Sequence, residues 1–228
     1  MIGGRKKHSP SRSSGNRAIP PNVMLHNSTP MNRIAFFISI IVLCINPKVD
    51  AQVKICNRQN DSLLVTRIIN NFFDWYIFSI KSHKTSEYQP IFSQNKNGMT
   101  TLDFSNYFQN LRKLSFSETL IEKEKMQYQV CIDSLERIKY SVFVKEYTDL
   151  DDFERIRCDF SNYYRWTGGM DPIDGIKINS VTFDDNLNAV INGQFYFDNV
   201  DTEEPYYAGQ FSAKMIKTGK SWRILSLD

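Results

Sequence analysis

Beyond residue 51 the sequence offers three cysteines, one histidine and a few clustered carboxylates for covalent, metal or acid–base chemistry. His83 stands between Lys81 and Lys84. Zinc needs about three convergent protein ligands, and a lone imidazole beside two lysines brings none of the others. Near a helix C-terminus a cation is favourable without any catalytic role. Cys56, Cys131 and Cys158 fit no CxxC or zinc-ribbon spacing. A nucleophilic thiol needs a basic partner, and His83 is the only imidazole on offer. In an oxidising compartment the three read as at most one disulfide. The expected pair is Cys131 with Cys158, because the stretch between them is compact and turns back once. Asp149, Asp151, Asp152 and Glu154 form one acidic cluster, and Asp198, Asp201, Glu203 and Glu204 another. Calcium takes such oxygen ligands, but neither cluster has EF-hand spacing. Both read as solvated loop charge, and neither a metal nor a cofactor is expected.

Recognition chemistry is concentrated in residues 162–172, NYYRWTGGMDP. Tyr163, Tyr164, Arg165 and Trp166 are of the types enriched at binding hot spots, and Gly168 and Gly169 permit unusual backbone conformations. Aromatic residues also anchor loops in cores, so a packed loop is the competing reading. One further route to chemistry is a carboxylate in a pocket, where burial raises its pKa by several units. Asp198 is the candidate, on a strand face shared with Gln194 and Tyr196, with Tyr207 nearby. Asp198-Asn199 is also turn chemistry.

The elements that must position these groups come in two blocks. Residues 61–82 place Leu64, Ile68, Phe72 and Trp75, and Val65, Ile69, Phe73 and Tyr76, at helical spacing. The wide stripe predicts a mostly buried helix, capped by Asn60 or Asp61. Gln89-Pro90 and Asn97-Gly98 mark a loop. Asp103 is the expected cap of a short helix, and Ser117 opens another running to about residue 139. That helix has an apolar face (Leu120, Ile121, Tyr128, Cys131, Ile132, Leu135, Ile138) and a charged face with Glu122, Lys123, Glu124, Lys125 and Glu136. From Gly175 the period changes to two. Strands are predicted over 175–184, 188–198, 206–217 and 221–227, with Ala189, Ile191, Phe195 and Phe197 on one face. Short links between them imply an antiparallel meander. Helices first and strands afterwards make the fold class α+β.

The 228 residues suffice for one domain, and with 41% hydrophobic and 13% aromatic residues the chain can bury a core. The formal charge of +3 is unevenly spread. Residues 1–51 hold seven basic residues and one acid, leaving 21 basic and 24 acidic residues, net −3, in the remainder. A mildly acidic body lacks the footprint of a nucleic-acid binder. Residues 1–30 are Ser-, Pro-, Gly- and Asn-rich without apolar periodicity and read as a disordered basic segment upstream of the true start. Met31-Asn32-Arg33, the apolar run 34–45 and Val49-Asp50-Ala51 follow the order of a secretory signal, with cleavage between Ala51 and Gln52. The run is shorter than the about 20 residues of a membrane span. An uncleaved anchor and a lipoprotein attached through Cys44 are the alternatives, the latter disfavoured by Leu43 before the cysteine.

The long first helix, SVTFDDNLNAVI at 180–191 and the closing GKSWRILSL at 219–227 together resemble the NTF2-like superfamily. The nearest likeness is to its exported, DUF3828-type bacterial branch, and Ala51-Gln52 resembles signal junctions of the Bacteroidetes. The resemblance covers about residues 61–227. It implies a curved sheet wrapped on helices as a cone with a pocket, in a family holding both isomerases or dehydratases and members without known catalysis. No Asp/His or Tyr/Asp arrangement of those enzymes carries over. The leading expectation is a non-catalytic, exported binding module for a small molecule or protein in the cell envelope. Its binding residues would be Tyr163, Tyr164, Arg165, Trp166, Tyr196 and Asp198. The rivals are a small pocket enzyme using a cone carboxylate, and an immunity or inhibitor protein against a cell-envelope enzyme.

Overall fold

The computed structural model describes the backbone of residues 47–228 and the side chains of residues 58–228, Glu203 excepted in both. The signal-segment expectations, including Cys44 and the Ala51 and Gln52 side chains, lie outside the described residues, as do the Cys56 side chain and Glu203. The chain divides into Met1–Asp50 and a compact unit, Ala51–Asp228, which holds the core and the sheet.

A long helix, α1 (Pro47–Lys81), supplies one side of the core. Proline suits a first helical turn, where its missing N–H would be unpaired anyway. Val65, Ile69, Phe72, Phe73, Tyr76, Ile77 and Ile80 are buried along one stripe. The helix closes through Lys84 N–H to the Ser79 carbonyl and His83 N–H to the Ile80 carbonyl, with His83 left-handed at φ 55°. That is the Schellman closure of a helix C-terminus. The expected cap at Asn60 or Asp61 is overturned, because the helix already runs through both. Asp61 instead accepts two hydrogen bonds from Lys217 Nζ (2.7 and 2.8 Å) and one from Trp222 Nε1 (2.9 Å). It ties α1 to the far end of the sheet.

After the short α2 (Thr85–Tyr88), the region expected as a loop forms a hairpin, β1 (Ile91–Gln94) with β2 (Thr100–Asp103). The Asn95 side chain accepts from the backbone N–H of Asn97 and Met99, and Gly98 takes φ 78°. The N-cap of α3 (Ser105–Lys113) is Phe104, not the expected Asp103, because the helix starts one residue later; the Asp103 carboxylate accepts from Ser105 N–H at 2.8 Å just before it. Ser117 caps α4 (Glu118–Gln127) by accepting from Leu120 N–H. The single helix expected to residue 139 is broken at Tyr128, whose backbone (φ −90°, ψ 0°) leaves helical geometry. Its ring is committed inward, against Phe104 and Phe160. The chain resumes as α5 (Gln129–Leu135), α6 (Tyr140–Glu146) and α7 (Leu150–Arg155), then a 3-10 turn, Asp159–Asn162.

The strands β3 (Gly175–Phe183), β4 (Asn188–Phe197), β5 (Tyr206–Thr218) and β6 (Ser221–Leu227) form one open antiparallel meander in that order. The fold is α+β, helices followed by an antiparallel sheet. Register shifts interrupt each pairing, at Ile178/Ser180, Gln194/Tyr196 and Lys214/Met215; such bulges bend and twist a sheet. Ala189, Ile191 and Phe195 are buried in the core and Phe197 is partly buried against it, as expected of one shared face, and the rings of Phe195 and Phe211 pack 5.6 and 5.0 Å from Phe73. Gly193 sits among them, where a Cβ would strike the Phe211 ring and the Lys177 carbonyl. A second, smaller cluster gathers Leu102, Tyr128, Cys131, Leu135, Phe143, Ile156 and Cys158. Cys131 and Cys158, the pair named from the sequence, are joined by a disulfide with Cα atoms 4.9 Å apart.

The Asp61 anchor yields a pH test. Burial alone would raise its carboxyl, but the bonds from Lys217 and Trp222 outweigh this and hold it below the ordinary 3.8. A depressed folded-state value means stability that is present above pH 3.8 and lost as the pH falls through the folded value. Asp61→Asn should cost about 1.5–3 kcal/mol at pH 7, as expected for hydrogen bonds to a charged group. In urea unfolding the gap to wild type should narrow as pH falls below 3.8. A gap of constant size would place the stabilisation elsewhere.

Candidate functional site

The most unusual chemistry lies where α4 meets the 162–172 loop. Glu124 was expected on the charged face of its helix; it is 0% exposed. The reason is in the spacing. Leu120, Ile121 and Tyr128 stand four and three residues before it and four after it, so Glu124 shares their inward face. One carboxylate oxygen accepts from Tyr107 OH (2.9 Å) and Tyr128 OH (3.1 Å), and the other from Arg165 Nε (2.9 Å). Trp166 Nε1 in turn donates to the Tyr107 oxygen at 3.0 Å, and Trp166 N–H to the Tyr76 oxygen. A buried charge is tolerable only when paired and fully hydrogen-bonded, and this one is.

Electrostatics follow from that burial. Desolvation, with the nearby Glu124 charge, pushes the Tyr107 and Tyr128 hydroxyls far above their ordinary value. Desolvation likewise raises Tyr76. For Arg165, burial opposes the charge, but Glu124 more than restores it and the guanidinium is held protonated. Its plane also lies 4.7 Å from the Trp166 ring centre, a cation–π contact. The tyrosine hydroxyls and the Arg165 guanidinium therefore keep their protons near neutral pH. Acid–base catalysis needs a group poised near the operating pH, and these four groups are moved away from it.

Beside this network a recess of about 90 Å³ opens to solvent. Gln127, Tyr128, Cys131, Arg157, Asp159, Phe160, Tyr163 and Arg165 line it. Clefts that enclose whole small ligands usually measure about 300–1,000 Å³, so this one accepts a single chemical group. Arg157 lies at the C-terminus of α7, left-handed at φ 57°, in the same Schellman closure as His83 (its N–H to Glu154, Cys158 N–H to Phe153). Among the described residues Arg157 makes no ion pair.

The residues singled out from sequence separate. Tyr163, 43% exposed, and Arg165 reach the recess. Tyr164 is half-buried, edge-on to Tyr88, while its backbone closes the turn that Gly168 completes at φ 65°. Trp166, expected as a partner-binding anchor, is 5% exposed and packs in the core. Tyr196 and Asp198 are not brought together with the loop. Tyr196 alternates with the core-facing residues of β4, packs near Tyr207 and covers Gly175. Asp198 is exposed just past the end of β4, and its backbone N–H donates to Asp174. On the opposite, core-facing side of β4 the rings of Phe73, Phe195 and Phe211 pack together. His83 is exposed at the end of α1. Among the described residues no group of three His, Cys, Asp or Glu converges as metal ligands, and no helix is long and apolar enough to cross a membrane. Sequence reasoning missed Glu124, Tyr107, Tyr128 and Arg157. For the first three, the inward spacing on α3 and α4 was the available signal.

Removing one partner of a buried ion pair strands the other charge and costs about 3–5 kcal/mol. Glu124→Ala should lower unfolding stability by that amount. Glu122→Ala, two residues away and exposed, should stay within about 0.5 kcal/mol of wild type. Equal effects in urea titrations would refute the buried network.

No family model, curated protein or solved structure matches this chain.

Proposed function

We propose that this chain is an exported, non-catalytic binding module that holds a protein partner of the cell envelope at the rim of the Arg157–Arg165 recess. One observation carries the reading. Glu124, Tyr107, Tyr128 and Arg165 satisfy one another, while the exposed rim beside them pairs an uncommitted arginine with an exposed tyrosine. Tyrosine and arginine are the residues that concentrate binding energy at interfaces. The small volume favours a group projecting from a larger partner over an enclosed metabolite. Export is supported by the Cys131–Cys158 disulfide, since such bonds persist in oxidising compartments. The order of helices and then meander supports the NTF2-like likeness. The rings packed between α1 and the sheet favour binding at the side of the domain over chemistry inside it.

A photo-cross-linking residue at position 163, installed in the full chain and irradiated in the cell envelope, tests this. It should give a discrete adduct that the same residue at Leu187, another exposed position, does not give. Arg157→Asn should reduce the adduct severalfold, while Asp198→Asn and His83→Ala leave it unchanged. The reading fails if position 163 gives no specific adduct, or if Asp198→Asn abolishes biological activity in a folded protein.

A further inference from the structure

Arg165 is held unlike a free surface arginine. Its Nε is committed to Glu124 at 2.9 Å and its guanidinium lies over the Trp166 ring. Among the described residues its two terminal nitrogens donate to nothing. A guanidinium fixed through Nε keeps its end-on pair of N–H donors coplanar and parallel, the geometry that grips a carboxylate through two bonds. Because the side chain is already immobilised, little further rotamer entropy is lost on binding. Arg157, on the same recess, adds a second cation that has no ion partner among the described residues.

Resting on the binding reading above, we infer that the recess recognises a single carboxylate carried by the protein partner, a side chain or a chain end, gripped by Arg165 and steered by Arg157. Tyr163 covers the apolar stem behind it. The charges around the recess balance, so a ligand with one negative charge disturbs them less than a ligand with two. Two arginines face the recess, but Asp159 shares its wall and Glu124 lies beneath Arg165. A planar monoanion is welcome there, whereas a doubly charged phosphate meets two carboxylates. The volume of about 90 Å³ accommodates a carboxylate and a short stem.

The probes are N-acetylglycine, its uncharged amide and inorganic phosphate, titrated into the ¹⁵N-labelled full chain while the arginine side-chain resonances are followed. N-acetylglycine should shift the Arg165 signals saturably, and the amide and phosphate should bind at least about tenfold more weakly, the loss expected when a charge-assisted bond is removed. Arg157→Asn, which tolerates the left-handed backbone, should weaken N-acetylglycine severalfold. Arg165→Lys keeps a cation for Glu124 and so preserves the fold, but lacks the fork and should weaken it about tenfold. Equal binding of the amide or of phosphate overturns the inference, as does unchanged affinity in folded Arg165→Lys. If N-acetylglycine fails while the cross-link at position 163 persists, the carboxylate assignment falls and the binding module stands; loss of both removes both.

Discussion

Everything near the recess depends on one buried carboxylate. Glu124 collects donors from α3, from the break between α4 and α5, and from the loop before the sheet. Tyr107 and Trp166 belong to the large core against the sheet, and Tyr128 to the smaller cluster around the disulfide. The carboxylate therefore joins two hydrophobic clusters, which also meet through the ring of Phe104. Desolvating a carboxylate costs several kcal/mol, and three donors, one of them cationic, offset it. An apolar residue at position 124 would avoid the cost, but it would not say which tyrosine and which arginine must converge. The network supplies docking specificity more than net stability.

Packing decides where a ligand can go. The sheet face toward α1 is occupied by large rings, and Gly193 lets Phe211 approach the backbone of β4. Once that interior is filled, polar groups can be exposed only on the outer sheet face or beside the helices. The outer face carries Asn192, Gln194 and Ser212 in ladder register, with the ordinary alternation of a sheet wet on one side. The helical side brings two arginines, a carboxylate and aromatic rings into one concave spot, which is why the functional reading rests there.

Much of the fold was legible because its signals are local. The strands fall within a residue or so of the expected bounds, since period two and turn residues are written into 175–227. Asp103 and Ser117 act at helix starts through hydrogen bonds spanning only two or three residues. What was not legible depends on distant partners. Asn60-Asp61 has the chemistry of a cap, and only the folded position of Lys217 and Trp222 turns Asp61 into a tether. The hairpin 91–103 has strands of four residues, too short for alternation to stand out. Glu124 sits in a Glu-Lys-Glu-Lys run, where charge masks the inward spacing set by Leu120, Ile121 and Tyr128. Trp166 and Tyr163 are three residues apart in one aromatic loop, and sequence alone does not say which one turns inward.

The two arginines of the recess are fixed by different means. Arg165 is held by an ion pair and an aromatic ring. Arg157 is the left-handed residue closing α7, and its neighbour Cys158 is bonded to Cys131 of α5. A non-glycine residue in that conformation costs about 1–2 kcal/mol. His83 and Ser115 take the same conformation at two other helix ends, so the cost is part of how this chain stops helices and does not by itself mark function. The distinguishing feature of Arg157 is the covalent bond beside it, which keeps the turn from fraying. A rim held by a disulfide on one side and a saturated carboxylate on the other is preorganised before any partner arrives. A ligand held by such a rim would lose less entropy than one held by mobile surface side chains, and a recess this small needs that rigidity to bind anything usefully.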